Sequence, residues 1–180
     1  RIDPDKKEVY TLSEHSFAYD VISFNAGSFV PMYSAPEGSE NIYTVKPIEK
    51  LMEASGKLKT LFAQKKIHIS IIGGGPSSAE VAGNVWQLAK KTGQHMPGIS
   101  IFAGKKFMGR FSEQIRSRII SSLKKRGILI LETGYVKKIT SDEILFESGD
   151  TIPTDFTFIA SGVKPSNIFK DSGLPLGPDG

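Results

Sequence analysis

In the middle of the chain, short apolar runs typical of strands alternate with longer segments in which apolar residues recur at helical spacing. The segment "KIHISIIG" (66–73) has too few polar residues to face water on one side, which is typical of a central strand in a parallel sheet. From about Pro76 to Lys91 the apolar residues recur at helical spacing. "GISIF" (98–102) predicts a second strand, and "ILILE" (128–132) predicts a third.

Between the second and third strands, residues 112–127 have the pattern of a helix. Ser112 is expected to cap its start, and Gly127 is expected to end it. Strand–helix units that repeat about every 30 residues predict an α/β fold with a parallel sheet.

The flanks carry shorter patterns. Apolar positions from Pro47 to about Lys65 predict a helix. Before it, strands are expected at 7–12 and 19–28, followed by a loop at 32–41. After the third strand, short alternating runs over 134–155 predict an antiparallel meander, and "FTFIASG" (156–162) predicts a last buried strand.

The stretch "IIGGGPSSAEVAG" (71–83) lies at the first strand-to-helix turn. Gly73, Gly75 and Ser78 fit G-x-G-x-x-G with serine in the last place. The first glycine allows the tight turn, the second lets a pyrophosphate approach the backbone, and the third position must be small. Ligands of such sheets bind at the carboxyl ends of the strands. Two alternatives stay open: a tight turn without a ligand, and the glycine-rich first turn of an S-adenosylmethionine-dependent methyltransferase.

Composition limits the function classes. The chain has 180 residues with 39% hydrophobic and 23% charged residues, which suits a soluble globular protein. It contains no cysteine, which excludes a disulfide framework and a thiolate zinc site. His15, His68 and His95 lie far apart, so no metal site is expected. No apolar run approaches the roughly 20 residues of a membrane span, and nothing resembles a signal peptide, so a cytoplasmic location is expected.

The net charge is +4, and most of the basic residues are interpreted as solvated helix faces rather than as a nucleic-acid site. The basic run after the second strand differs. In NAD-specific folds an Asp or Glu at that place bonds the ribose hydroxyls, but here Ala103 follows the strand and Lys105, Lys106 and Arg110 come next. Loss of the acid and gain of cations predict that a 2′-phosphate is accepted. The alternative is a solvated basic loop.

Four segments, taken in order, resemble one enzyme family. They are "YDVISFNAGSFVP", "HISIIGGGPSSAEVAG", "TDFTFIASGVKPSN" and "SGLPLGPDG", and together they cover nearly the whole chain. They are similar to segments of the FAD-dependent pyridine nucleotide-disulphide oxidoreductases, including the type II NADH dehydrogenase-like and ferredoxin reductase-like branches.

The resemblance implies a middle piece of a longer flavoenzyme. Residues 31–162 would form a Rossmann-like NAD(P)-binding domain with an antiparallel meander. Residues 1–30 and 163–180 would be short pieces of an incomplete FAD-binding domain. The whole protein would pass hydride from NAD(P)H to FAD and on to a quinone, an iron–sulfur protein, oxygen or a disulphide, and peripheral membrane association would be compatible with this. The alternative is a nucleotide-sensing or interaction protein of the same fold.

The resemblance also implies roles for single residues. Gly73, Gly74, Gly75, Pro76 and Ser77 would line the pyrophosphate, with Ser78 in the small third position. Glu80 would lie near the nicotinamide, or it is a surface carboxylate of the helix. Gly162 would pass close to the nicotinamide through its backbone. Ala26 and Gly27 match a flavin-contacting A-T-G stretch, which here reads Asn25-Ala26-Gly27. No catalytic acid or base is implied, and the piece alone is expected to be inactive.

Overall fold

The computed structural model describes residues 1–31, 40–92 and 95–178. The chain divides into two compact units. The terminal unit comprises Arg1–Phe29 and Val163–Gly180, and the central unit comprises Val30–Gly162. The predicted loop at 32–41 lies mostly outside the described residues. The assignment of the two chain ends to an FAD-binding domain stays a prediction.

Short strands open the chain, after which strands and helices alternate. The opening strands are β1 (Ile2–Asp3), β2 (Glu8–Tyr10), β3 (Ser16–Ala18), β4 (Ser28–Phe29) and β5 (Ile42–Thr44). The alternating part comprises α1 (Ile48–Gln64), β6 (His68–Ile72), α2 (Pro76–Thr92), β7 (Gly98–Phe102), α3 (Glu113–Lys124) and β8 (Leu129–Leu131). The last elements are β9 (Val136–Ile139), β10 (Glu143–Phe146), β11 (Thr151–Pro153), β12 (Phe156–Ile159), β13 (Lys164–Pro165) and α4 (Ile168–Asp171).

A five-stranded parallel sheet with the order β5-β12-β6-β7-β8 forms the centre of the central unit. This confirms the predicted α/β class and its Rossmann-like parallel sheet. The ladder continues just past the strand ends, because Gly73 N–H donates to the Phe102 carbonyl and Ala160 N–H donates to the Ile72 carbonyl, at 2.9 and 2.8 Å. The exits of the middle strands therefore lie side by side at one edge of the sheet.

The two faces of this sheet are buried against different layers. One face packs on α1, α2 and α3, whose core positions include Leu58, Phe62, Val85 and Leu123. The other face packs on the predicted antiparallel meander β9–β11 through Ile139, Ile144 and Phe146. Burial on both faces explains why the central strands are almost continuously apolar.

Three details differ from the sequence expectations. The segment 19–28 was expected to be a strand, but residues 19–27 are irregular and only Ser28 begins a strand. β5 was not predicted, since three residues at a sheet edge give too short a pattern. α3 ends at Lys124, before Gly127, and the Ser112 side chain makes no capping hydrogen bond.

The terminal unit is built from two small antiparallel sheets. β1, β2 and β3 form one, and β4 pairs with β13 in the other. The two ends of the chain are joined by a hydrogen bond from Ile2 N–H to the Ser172 hydroxyl at 3.0 Å. Phe24, from the wrongly predicted strand, packs edge-on against Phe169 with ring centroids 5.1 Å apart.

Candidate functional site

A cavity of about 470 Å³ opens at the carboxyl edge of the parallel sheet, in the central unit. Its walls come from the turn after β6, the loop after β7, the turn after β8 and the residues after β12. Of the residues singled out from the sequence, the following line it: Gly73, Gly74, Gly75, Pro76, Ser77, Ala103, Lys106, Arg110 and Gly162. We call it the glycine-lined cavity.

Two glycines are required by the close approach of neighbouring backbones. Gly73 has φ +143°, and a Cβ there would overlap the Ala160 carbonyl. At Gly74 a Cβ would come 2.6 Å from the Ala103 carbonyl oxygen. These contacts join the exits of β6, β7 and β12 at the floor of the cavity. A side chain at either glycine would push the strand exits apart.

Gly75 and Ser78 do different work in the same turn. A Cβ built on Gly75 meets nothing within 4 Å, so this backbone faces open space at the cavity wall. α2 begins with Pro76, which has no backbone N–H, and Ser78 N–H donates to the Gly75 carbonyl at 3.2 Å. The Ser77 amide lies between them in the first turn, at the positive end of the helix dipole. Ser78 is fully buried against Gly73, and its hydroxyl has no hydrogen-bond partner, so it packs instead of lining the cavity.

The loop between β7 and α3 is fixed by three bonds to its own backbone. Phe107 N–H donates to Glu132 Oε1 at 2.7 Å, and Arg116 Nε donates to the Phe107 carbonyl at 2.9 Å. Met108 N–H donates to the Gly74 carbonyl at 2.7 Å. Arg116 also pairs with Glu132 at 2.9 Å and with Glu113 at 3.1 Å. The loop is therefore held both to the glycine turn and to the end of β8.

Glu132 directly follows the last residue of β8, at the carboxyl edge of the sheet. Its carboxylate already accepts hydrogen bonds from Phe107 N–H and Arg116. The Phe107 amide holds the pKa of the Glu132 carboxyl below its usual range, opposed by desolvation and assisted by Arg116. By contrast, Lys106 and Arg110 line the cavity, and neither belongs to any ion pair found among the described residues. The wall after β7 therefore presents positive charge to the cavity.

Some predicted site residues lie elsewhere. Lys105 is exposed and does not line the cavity. Glu80 is exposed and lines a separate hollow of about 300 Å³ between α2 and α3, whose lining Pro76 and Met108 share. Ala26 and Gly27 belong to the terminal unit, so the cavity lining is formed without them.

Two aromatic residues at the cavity were missed by the sequence reasoning. Tyr135 and Phe111 line it and are 50% and 40% exposed. The Tyr135 ring lies 2.9 Å from the Cβ position of Gly104, which pairs with Gly134 in an isolated bridge. The signal available in the sequence was an aromatic residue in each loop that follows the second and third predicted strands. Glu132 and Arg116 were also missed, because their partners are backbone groups that a sequence pattern does not reveal.

The residues present fit a dinucleotide. The cavity has a wall without side chains at Gly75, a helix start beside it, two cations and two exposed aromatic rings. Amides and cations suit phosphate groups, and aromatic faces suit a base. Within the described ranges, no cluster of three or more His, Asp and Glu residues could hold a metal ion. The helices in these ranges are also too short or too polar to span a bilayer.

Comparison with known proteins gives the family. The model of the pyridine nucleotide-disulphide oxidoreductase family matches residues 1–180. The chain belongs to this family. Demethylphylloquinone reductase NdbB of Synechocystis is 26% identical over 170 residues, which are 92% of this chain and 41% of that protein.

Solved structures of an NADH oxidase and a ferredoxin reductase have the same fold. The water-forming NADH oxidase from Lactobacillus brevis matches with a TM-score of 0.71 at 21% identity, over 99% of this chain and 40% of that one. The ferredoxin reductase from Rhodopseudomonas palustris matches with a TM-score of 0.74 at 18% identity, over 98% and 43%. At these identities the likeness shows the fold. The chain spans less than half the length of these relatives.

Proposed function

We propose that this chain is the NAD(P)H-binding part of an FAD-dependent oxidoreductase. The observation that carries the proposal is the glycine-lined cavity at the carboxyl edge of the parallel sheet, in a chain of this family. When bound, the nicotinamide would supply a hydride to FAD, and the flavin would pass the electrons to the final acceptor.

The chain's own residues would bind and orient the dinucleotide. The backbone at Gly75 and the Ser77 amide in the first turn of α2 would hold the pyrophosphate, as the open wall at Gly75 allows. Gly162, at the far wall, would admit the nicotinamide end because it has no side chain to block it. Ser78 and Gly73 would keep the turn compact. None of these roles needs a catalytic acid or base.

We further propose that the site accepts a 2′-phosphate. Ala103 stands at the end of β7, where an acidic residue would repel that group, and Lys106 and Arg110 line the same wall. Glu132 does not replace the missing acid, because its carboxylate accepts from Phe107 N–H and Arg116. Of the predicted cations, Lys105 is left out of this role.

The electron acceptor is proposed only as a class. A quinone, an iron–sulfur protein, oxygen and a disulphide all remain candidates, and the similar reductase of Synechocystis acts, by its name, on a quinone. The family membership leaves no support for the methyltransferase alternative. A nucleotide sensor of the same fold would bind the dinucleotide without reducing a flavin.

The test uses the full-length protein with its flavin. Under anaerobic conditions, NADH or NADPH should bleach the oxidised flavin absorbance with a stoichiometry of one hydride per flavin. A protein that binds the dinucleotide tightly and leaves its flavin oxidised would be a sensor, and the proposal would fail. Failure to bind either dinucleotide would refute both functions.

A further inference from the structure

The charges of the chain are strongly segregated. Residues 81–131 contain ten Lys and Arg and one carboxylate, Glu113. The whole chain has 23 Lys and Arg and 19 Asp and Glu, so the other residues hold 13 cations against 18 anions. One continuous segment is thus +9 within a chain that is otherwise −5. Such an uneven distribution is a physical argument about association with partners.

The structure separates these cations between the two edges of the parallel sheet. Lys105, Lys106 and Arg110 follow β7 at the carboxyl edge, Arg116 is used in ion pairs, and Arg118 is exposed in the middle of α3. At the opposite edge, where α2 and α3 end, the exposed cations are Lys90, Lys91, Lys124 and Lys125. Arg126 follows them in the chain, and it also lines the hollow between α2 and α3 that Glu80 lines. None of them forms an ion pair among the described residues. We call these five the amino-edge basic surface.

Two of these cations are brought together on one indole ring. Lys90 Nζ lies 5.1 Å and Arg126 Cζ lies 5.3 Å from the centroid of Trp86. The guanidinium of Arg126 is oriented by hydrogen bonds from Nη1 to the carbonyl and hydroxyl of Ser122, both at 2.6 Å. The two charges are therefore within roughly one to one and a half Debye lengths of each other at physiological salt. Their mutual repulsion would be relieved by an external anion.

Exposed aliphatic side chains lie at the same edge. Leu129 begins β8 and is 59% exposed, and Met96 comes just before β7 and is 42% exposed. β7 and β8 are parallel neighbours, so both residues are near the start of adjacent strands. Cations interspersed with exposed aliphatic groups are typical of surfaces that lie in the headgroup region of a bilayer.

The same features argue against other polyanions. Single-stranded nucleic acid is bound by exposed aromatic faces, but the Trp86 ring is covered by Lys90 and Arg126. Helix-end stabilisation explains the cations of each last turn and also Arg126, whose guanidinium donates to the Ser122 carbonyl. It does not explain the exposed Leu129.

We infer that the amino-edge basic surface binds membranes that contain anionic phospholipids. Lys90, Lys91, Lys124, Lys125 and Arg126 would contact the headgroup phosphates, and Met96 and Leu129 would enter the acyl boundary. The glycine-lined cavity is at the other end of β6 and β7, which are five residues long, or about 16 Å. Membrane binding would thus leave the cavity open to the dinucleotide.

The experiment is vesicle co-sedimentation of the full-length protein. Vesicles of phosphatidylcholine alone are compared with vesicles containing about 30% phosphatidylglycerol. The native protein should bind only the anionic vesicles, and raising the salt to about 0.5 M should release most of it. Lys90→Gln, Lys91→Gln, Lys124→Gln and Lys125→Gln together should weaken binding at least about tenfold. Met96→Ser with Leu129→Ser should weaken it about fivefold.

The matched control removes four other exposed lysines: Lys59, Lys137, Lys138 and Lys170, each changed to Gln. This variant should bind anionic vesicles as the native protein does, and circular dichroism and dinucleotide affinity should be unchanged in both quadruple variants. Absence of binding to anionic vesicles would overturn the inference, as would equal losses in the two quadruple variants. Binding to heparin or an acidic protein at the level seen with vesicles, with no effect of the Met96 and Leu129 changes, would also overturn it in favour of a general polyanion site.

Discussion

At the residue scale, Gly75 gives the cleanest test of the glycine-lined cavity. Nothing lies within 4 Å of a Cβ at this position, so Gly75→Val should fold normally. Its side chain would project into the space where the pyrophosphate must approach the backbone. We expect dinucleotide affinity to fall by more than about tenfold, measured by isothermal titration with NADH and NADPH.

Gly56→Val is the matched control for this change. Gly56 lies in α1 and also has open space around its Cβ position, but it is remote from the cavity lining. Its dinucleotide affinity should equal that of the native protein. Unchanged affinity in Gly75→Val itself would remove the proposed phosphate position.

The 2′-phosphate proposal is also decided by single residues, because Lys105 and Lys106 are neighbours in different surroundings. Lys106 lines the cavity and Lys105 does not. Lys106→Ala should lower kcat/KM for NADPH about five- to tenfold relative to NADH, since one charge-assisted contact is lost. Lys105→Ala should leave the NADPH/NADH ratio unmoved. If the two variants shift the NADPH/NADH ratio equally, the loop attracts the 2′-phosphate through its overall positive charge and not through a contact of Lys106.

At the element scale, the loop between β7 and α3 depends on Glu132 and Arg116. Glu132→Gln keeps an acceptor for Phe107 N–H but removes the ion pair with Arg116. The pair is partly exposed, so we expect a loss of about 1 kcal/mol in the free energy of unfolding at pH 7. This corresponds to about 2 to 4 °C in Tm for a chain of this size. Glu113→Gln, at a carboxylate that is 66% exposed, should cost less.

The pH dependence of this difference has a definite sign. The pKa of Glu132 is held low by the Phe107 amide and by Arg116 in the folded state. Its stabilisation is therefore complete above the unfolded value of about 4.3 and is lost as the pH falls through the lower folded pKa. The difference in unfolding free energy between native protein and Glu132→Gln should shrink below about pH 4. A difference that stays constant down to pH 2.5 or so would show that the charge of Glu132 is not involved.

Elements with a long or fully apolar pattern could be predicted, and short ones could not. α2 and the strands β6 and β7 follow directly from helical spacing and from apolar runs that are buried on both faces. The prediction of a strand at 19–28 was wrong, because an apolar pattern forms a strand only where a neighbouring strand can pair with it. Val21 is 88% exposed, and the β2–β3 ladder ends at Ala18. The division of work between Lys105 and Lys106 depends on the path of a loop that is set by Glu132, 26 residues after Lys106 in sequence.

At the scale of the whole molecule, the central unit contains its own complete core. Both apolar layers, the one under the helices and the one under the meander, are made of residues between Val30 and Ala160. The parallel sheet and the glycine-lined cavity also lie within these limits. The chain of 180 residues, expressed alone, should therefore fold cooperatively and bind NADH or NADPH.

The terminal unit has a different outlook, which gives the last prediction. Its strands are two or three residues long, and several of its large apolar side chains are exposed, among them Leu12, Phe17 and Val21. Sheets this short bury little apolar surface and are marginal by themselves.

If Ala26 and Gly27 belong to a flavin site, this unit supplies only a small part of it. We therefore expect the 180-residue chain purified alone to carry far less than one FAD per molecule while it still binds the dinucleotide. Flavin absorbance after gel filtration with excess FAD, and titration with NADPH on the same sample, measure the two properties. Stoichiometric FAD on the isolated chain would show that the flavin site is built within these residues, and the assignment of the chain ends to an incomplete FAD domain would be wrong.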